Sequence, residues 1–416
     1  MAPGRVGSRS ISVRGIARAV AILAVAALAG LVAFSSSVAH ISSRNDPKRA
    51  LAWAPNDARA KGEAAALLTT RPEGPEQLAL AKRLAADAAA QDPTVISAFR
   101  ALGLAADLEG DDAAALGYFT RASELSRRDR PTQLWFIAYY DRQQDEVAFV
   151  RQFDVALRSS ESNLEELLPV LVSATAEPRI LPPLRAVLAK RPPWALTFMV
   201  QMISFGPDLD TVVSLTRGHL DPKDDYQRVL IQALIDRLVT AREFDLAAQV
   251  FSDAAPETKA AGVWGGDFES ETEFAPFGWD LTDEEELFAV RALRPGDDTN
   301  YALQLTAFNA KTGTVARQLL RLDAGAHRLQ GETGAIPAEA YARPRVRISC
   351  AGREPGAPLL EVVPAAGSAP KRFGSQFRVP AGCGWQWLTI DLAGQGAEPE
   401  QSPWIDDLAI RAVSGT

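Results

Sequence analysis

Two tryptophans stand two residues apart in the segment WQWLTIDL at 385–392. In an extended strand, alternation sends Leu388, Ile390 and Leu392 to one face and Trp385, Trp387, Thr389 and Asp391 to the other. Two indoles on an outward face expose apolar surface that requires an occupant. Flat aromatic faces suit stacking on sugar rings. Arg317, Arg321, Arg345 and Arg347 fall on the outward positions of other extended segments, and guanidinium groups bind carboxylates bidentately. These six residues together suit an acidic polysaccharide. The competing reading packs Trp385 and Trp387 beneath a loop or against helices elsewhere in the chain.

Signals for catalysis are lacking. The sequence holds no phosphate-binding Walker loop, no G-x-S-x-G elbow, no H-E-x-x-H and no paired C-x-x-C. Asp406 and Asp407 are adjacent, so on a strand they face opposite ways. The run Asp283–Glu286 reads as a solvated loop. His40, His219 and His327 are too scattered for a triad or a metal site. The expectation is a protein that is not an enzyme.

The elements that carry the tryptophans and arginines are strands. Period-two segments occur at 301–308, 314–322, 345–350, 359–363, 376–379, 385–392 and 404–413. Many short strands separated by Gly and Pro turns predict an antiparallel β-sandwich over residues 262–416. Before that, residues 45–258 are rich in Ala and Leu and helical in period. The period changes at Gly262–Leu281, GVWGGDFESETEFAPFGWDL, which marks a domain boundary. Phe268, Phe274, Phe277 and Trp279 within it read as core and seam residues.

Within the helical region, Phe99, Leu102, Gly103 and Ala106 make one helical stripe, and Ala115, Phe119 and Ala122 a second. This stretch resembles a tetratricopeptide unit, whose repeat is about 34 residues. Its neighbours at 61–93 and 128–161 resemble it in part. The resemblance implies a helical solenoid with a concave face for a protein partner. A spacer role is the alternative.

The C-terminal region resembles a galactose-binding-like jelly roll, the fold of many carbohydrate-binding modules. The words that carry the resemblance are GGDFE at 265–269, Trp279, YALQL at 301–305 and WIDDLAI at 404–410. It implies that GGDFE lies in the first strand. It also implies a structural calcium ion between the first and last strands, with Glu269 and Asp406 or Asp407 as carboxylate ligands. In the alternative these acids bond nearby backbone or face solvent. No cofactor is otherwise required.

Residues 1–15 carry Arg5, Arg9 and Arg14 and no acid, and form a basic tail. The apolar run in 16–39 is long enough to cross a bilayer core of about 30 Å. The basic flank predicts a single-pass bacterial inner-membrane protein with its bulk in the periplasm. A cleaved signal ending near Ala39 is the alternative. Cys350 and Cys383 are the two cysteines, and in an exported chain they pair as a disulfide. The alternative is two buried thiols. The net charge of −8 argues against a general nucleic-acid binder.

The fold expected is multidomain, α then β: a transmembrane helix, a tetratricopeptide-like solenoid and a C-terminal jelly roll. The function expected is a non-catalytic scaffold or glycan-binding component in cell-surface polysaccharide synthesis or export. The alternative is an interaction scaffold whose jelly roll is structural.

Overall fold

A computed structural model describes residues 46–256, 262–352, 357–394, 396 and 402–413. The chain is helical first and antiparallel β afterwards. It divides into two compact units between Thr197 and Phe198.

The first unit holds α1 (Pro47–Trp53), α2 (Ala58–Thr70), α3 (Pro75–Gln91), α4 (Ile96–Leu108), α5 (Asp112–Leu125), α6 (Arg130–Arg142), α7 (Glu146–Ser159), α8 (Glu161–Ala174) and α9 (Leu181–Leu188). Helices α2 with α3, α4 with α5 and α6 with α7 pack as successive pairs. Asp57, Asp111, Asp129 and Asp145 each accept a backbone N–H at the start of α2, α5, α6 and α7. Such caps satisfy donors that a helix end leaves open and fix where each helix begins. Small residues set the spacing. A Cβ on Gly103 would lie 2.7 Å from two ring carbons of Phe119. Phe119 is itself stacked on Trp135 with centroids 4.1 Å apart.

The second unit begins within α10 (Ala195–Phe205) and continues through α11 (Leu209–Thr216), α12 (Asp225–Thr240) and α13 (Phe244–Ala254). The Arg237 guanidinium of α12 donates to the carbonyls of Met202, Ile203 and Gly206 at 3.1, 2.7 and 2.7 Å. It thereby satisfies the open C-terminus of α10. These helices share a compact unit with the strands, although the period of the sequence changes only after them.

Eleven strands follow among the described residues. The five-stranded sheet runs β1 (Asp280–Leu281), β5 (Thr312–Leu320), β10 (Gln386–Ala393), β7 (Arg345–Cys350), β8 (Leu360–Val362). The six-stranded sheet runs β2 (Asp283–Glu284), β3 (Leu287–Leu293), β4 (Tyr301–Ala307), β11 (Trp404–Ala412), β6 (Gly325–Gly334), β9 (Lys371–Val379). The core lies between them. Val346, Ile348, Leu388 and Ile390 meet Leu303, Leu305, Leu329 and Ile405, all fully buried. Each is the inward member of an alternating strand. Cys350 and Cys383 are joined in a disulfide.

Three expectations need correction. GGDFE is not a strand: residues 265–269 are irregular, and the first strand begins at Asp280. The segment instead lies against β11, where the Leu408 N–H donates to the Gly266 carbonyl at 2.8 Å. A Cβ on Gly266 would sit 2.0 Å from the Leu408 oxygen, so the approach needs glycine. The acidic run is also not purely loop, since Asp283 and Glu284 form an exposed edge strand. Finally, the single-pass inner-membrane placement is overturned, because no helix among the described residues is long and apolar enough to cross a membrane. The expected span at 16–39 and the tail at 1–15 lie outside the described residues.

Candidate functional site

The outer face of the five-stranded sheet carries a row of cross-strand neighbours. Register pairs Asp280 with Arg317, Arg317 with Thr389, Thr389 with Arg347 and Arg347 with Glu361. One side chain from each of the five strands therefore lies in line. Arg317 Nε donates to Asp280 at 2.7 Å, and Arg347 Nε to Glu361 at 2.7 Å. Arg347 also donates to Asp391 at 2.9 Å. The hydrogen bond that Arg347 donates to Glu361 raises the Arg347 pKa above its ordinary value, against the opposing effect of burial.

Trp387 sits one outward position from this row on β10, half-buried, with the Arg317 guanidinium 5.2 Å from its ring centroid. It forms part of the floor of a cleft of about 1110 Å³. Thr314, Thr389 and Asp391 continue that floor. The turn between α12 and α13 contributes Arg242, α13 its first residue Phe244, and the segment before β7 Tyr341 and Arg343. A second hollow of about 530 Å³ shares Trp387, Thr389 and Thr314 and extends towards Asp280. Trp387 lines both.

Trp385 is placed differently. Its outward side is covered, and only 7% of it is exposed. Its indole N–H donates to Asp245 of α13 at 3.1 Å. Phe244 and Phe277 lie 6.3 and 5.9 Å from its ring. Farther along α13, Phe251 stacks on Phe277 at 4.7 Å. Trp385 thus anchors the helices to the sheet.

The four arginines also separate. Arg317 and Arg347 are engaged by acids in the row, and Arg321 lies 3.7 Å from Asp245 and 5.5 Å from the Trp385 ring. Among the described residues Arg345 makes no ion pair; it lies opposite Asp391 in the register and lines the cleft.

Glu269, Asp406 and Asp407 lie away from this face. Glu269 accepts the Tyr301 N–H at 3.1 Å, and its carbonyl accepts from Arg291 at 2.7 Å. Asp406 is buried, with Oδ1 accepting the Asp407 N–H at 2.7 Å. Asp407 is exposed, with φ at +49°. Among the described residues no group of three or more His, Cys, Asp or Glu side chains converges as a metal site.

No protein-family model matches this chain, and no curated protein matches it. Solved structures with some likeness include TmCBM61 in complex with β-1,4-galactotriose, at 20% identity and a TM-score of 0.27, covering 36% of this chain and 97% of that one. A second is the carbohydrate-binding module CBM4, at 13% identity and a TM-score of 0.27, covering 36% and 99%. A third is the enzymatically active domain of tailspike protein 4 of bacteriophage CBA120, at 10% identity and a TM-score of 0.28, covering 36% and 21%. The two-sheet sandwich rests on the strand pairing itself.

Proposed function

We propose that the cleft on the five-stranded sheet binds a glycan without chemically altering it. The observation that carries this reading is Trp387. It is a half-buried indole on the floor of an open cleft, beside fixed hydrogen-bonding side chains. An aromatic face takes up the apolar face of a pyranose, while charged pairs such as Arg347–Asp391 offer donors and acceptors to its hydroxyls. Apolar floors with a few placed polar groups are the usual make-up of a ligand site. A carboxylate on the sugar would find Arg345, which has no acidic partner among the described residues, and this supports an acidic polysaccharide as ligand. Glu361 and Asp391, the acids of the cleft, are both held by Arg347, an arrangement suited to orienting hydroxyls and not to moving protons.

The paired helices of the first unit, with their tetratricopeptide-like stripes, fit a protein-docking role, so the whole chain reads as a scaffold with a glycan-binding end. A role in cell-surface polysaccharide synthesis or export would use both ends.

The test is binding of the full chain to a panel of neutral and uronic-acid glycans by calorimetry, with Trp387→Ala alongside. Contact with the face of the indole adds to the apolar area that the ring buries. With the lost burial added, a drop in affinity of tenfold or more is expected for Trp387→Ala. Binding to no glycan, or binding indifferent to Trp387, overturns the proposal.

A further inference from the structure

Asp406 of β11 and Glu332 of β6 stand directly opposite each other in the register. Cross-strand partners leave the sheet on the same face, and like charges there repel. Asp406 is 1% exposed and the Glu332 side chain 21%, so water screens little of that repulsion. Such a pair needs a cation.

Arg294 supplies it. Its guanidinium lies 3.1 and 3.4 Å from the two oxygens of Glu332 and 3.7 Å from Asp406 Oδ2. It also lies over the Trp404 ring, 4.3 Å from the centroid. Arg291, three residues earlier, completes the arrangement. It donates to the carbonyls of Phe268 and Glu269 at 2.6 and 2.7 Å and lies 3.6 Å from the Tyr301 ring centroid.

These contacts decide how well a calcium ion would fit. Calcium takes six to eight oxygens at 2.3–2.6 Å. Here the carbonyls of Phe268 and Glu269 are bonded to Arg291, and Glu269 Oε1 to a backbone N–H. Asp406 Oδ1 is bonded to the Asp407 N–H, and only Oδ2 of that carboxylate lacks a hydrogen bond. A dication at Oδ2 would lie against the Arg294 guanidinium and be repelled by it. The donor set does not suit the ion.

We infer that Arg291 and Arg294 take the structural role that a calcium ion would play between Glu269 and Asp406, so that the sandwich is closed by guanidinium groups and needs no metal. The positive charge is part of the covalent chain. Removing Arg294 would leave two opposed carboxylates beside Trp404, which is a rudimentary cation site.

The experiment compares thermal unfolding of the full chain in millimolar calcium and in EDTA. It adds terbium titration, read by emission sensitised from tryptophan. The unsubstituted chain is expected to unfold at the same midpoint in both solutions and to give no saturable terbium signal. Arg294→Ala is expected to unfold at a lower midpoint, which calcium raises, and to gain the terbium signal. Arg294→Lys, which keeps a charge at the site, is expected to fold and stay indifferent to calcium, which guards against a variant that fails to fold. A midpoint of the unsubstituted chain that EDTA lowers, or a saturable terbium signal from it, overturns the inference. So does an Arg294→Ala chain that folds yet ignores calcium.

Discussion

The indole of Trp385 and the carboxylate of Asp245 are joined by a hydrogen bond of 3.1 Å across 140 residues of sequence. That contact ties α13 to the start of β10, the central strand of the five-stranded sheet. It also separates two tryptophans that the sequence makes look equivalent. Trp385 is roofed by a helix, whereas Trp387 lines an open cleft.

The two indoles should respond differently to truncation. Trp385→Ala removes a buried ring and its contacts with Phe244 and Phe277, so a loss of roughly 3–5 kcal/mol is expected. Trp387→Ala, on the cleft floor, should lower stability by much less. Urea unfolding of the two variants, followed by circular dichroism, measures the difference.

Arg345 and Arg347 stand two residues apart on one strand face but should also differ. Arg345→Ala should leave the unfolding midpoint unchanged and reduce affinity for uronic-acid glycans selectively. Arg347→Ala removes the guanidinium that bonds both Glu361 and Asp391. It should weaken binding of neutral and acidic glycans alike, with a stability loss near 1 kcal/mol because the pair is partly exposed. Calorimetric titrations with matched neutral and uronic oligosaccharides distinguish the two patterns.

Asp406 gives a pH signature. Burial, reinforced by the neighbouring charges of Asp407 and Glu269, pushes its carboxyl up to about 6 against the pull of the Asp407 N–H and Arg294. The folded chain therefore holds this proton more tightly than the unfolded chain, whose aspartates titrate near about 3.9. The stability from this group is complete below the unfolded value and is lost as pH rises through the folded one. Asp406→Asn should raise the midpoint near neutral pH and make little difference in acid, around pH 4 or below. Thermal unfolding across that range in EDTA reads the slope.

Gly103→Ala tests the helical unit. The added methyl would meet the Phe119 ring at 2.7 Å, and that ring is fully buried and stacked on Trp135. Overpacking of this kind costs about 1–3 kcal/mol, and chemical denaturation of the full chain should show an early transition.

Much of the sandwich was legible because alternation states which residues face inward. Leu303 and Leu305, Val346 and Ile348, and Leu388 and Ile390 are buried where the period puts them. The strands overlooked are those whose chemistry hides the pattern. β6 reads GAHRLQGETG, and Leu329 is its one large aliphatic, so polar and glycine positions mask the alternation. β3, LFAVRAL, follows directly on the acidic run that suggested a loop. The arginine face was visible, but its partners were not. Asp280, Glu361 and Asp245 lie 37, 14 and 76 positions away from the arginines they engage, and only the sheet register and the helix packing bring them together. Packing against helices was one of the two readings the sequence left open for both tryptophans, and α13 covers Trp385 alone.

The row Asp280, Arg317, Thr389, Arg347, Glu361 reads acid, base, hydroxyl, base, acid from either edge of the sheet. A polymer laid across the strands meets the same order of charges whichever end leads. The row by itself therefore carries no sense of direction. Any preference between the reducing and non-reducing ends of a chain has to come from what breaks that symmetry, Trp387 beside Arg317 and Asp391 beside Arg347, and from the unlike residues around the cleft, Arg242 and Tyr341 among them.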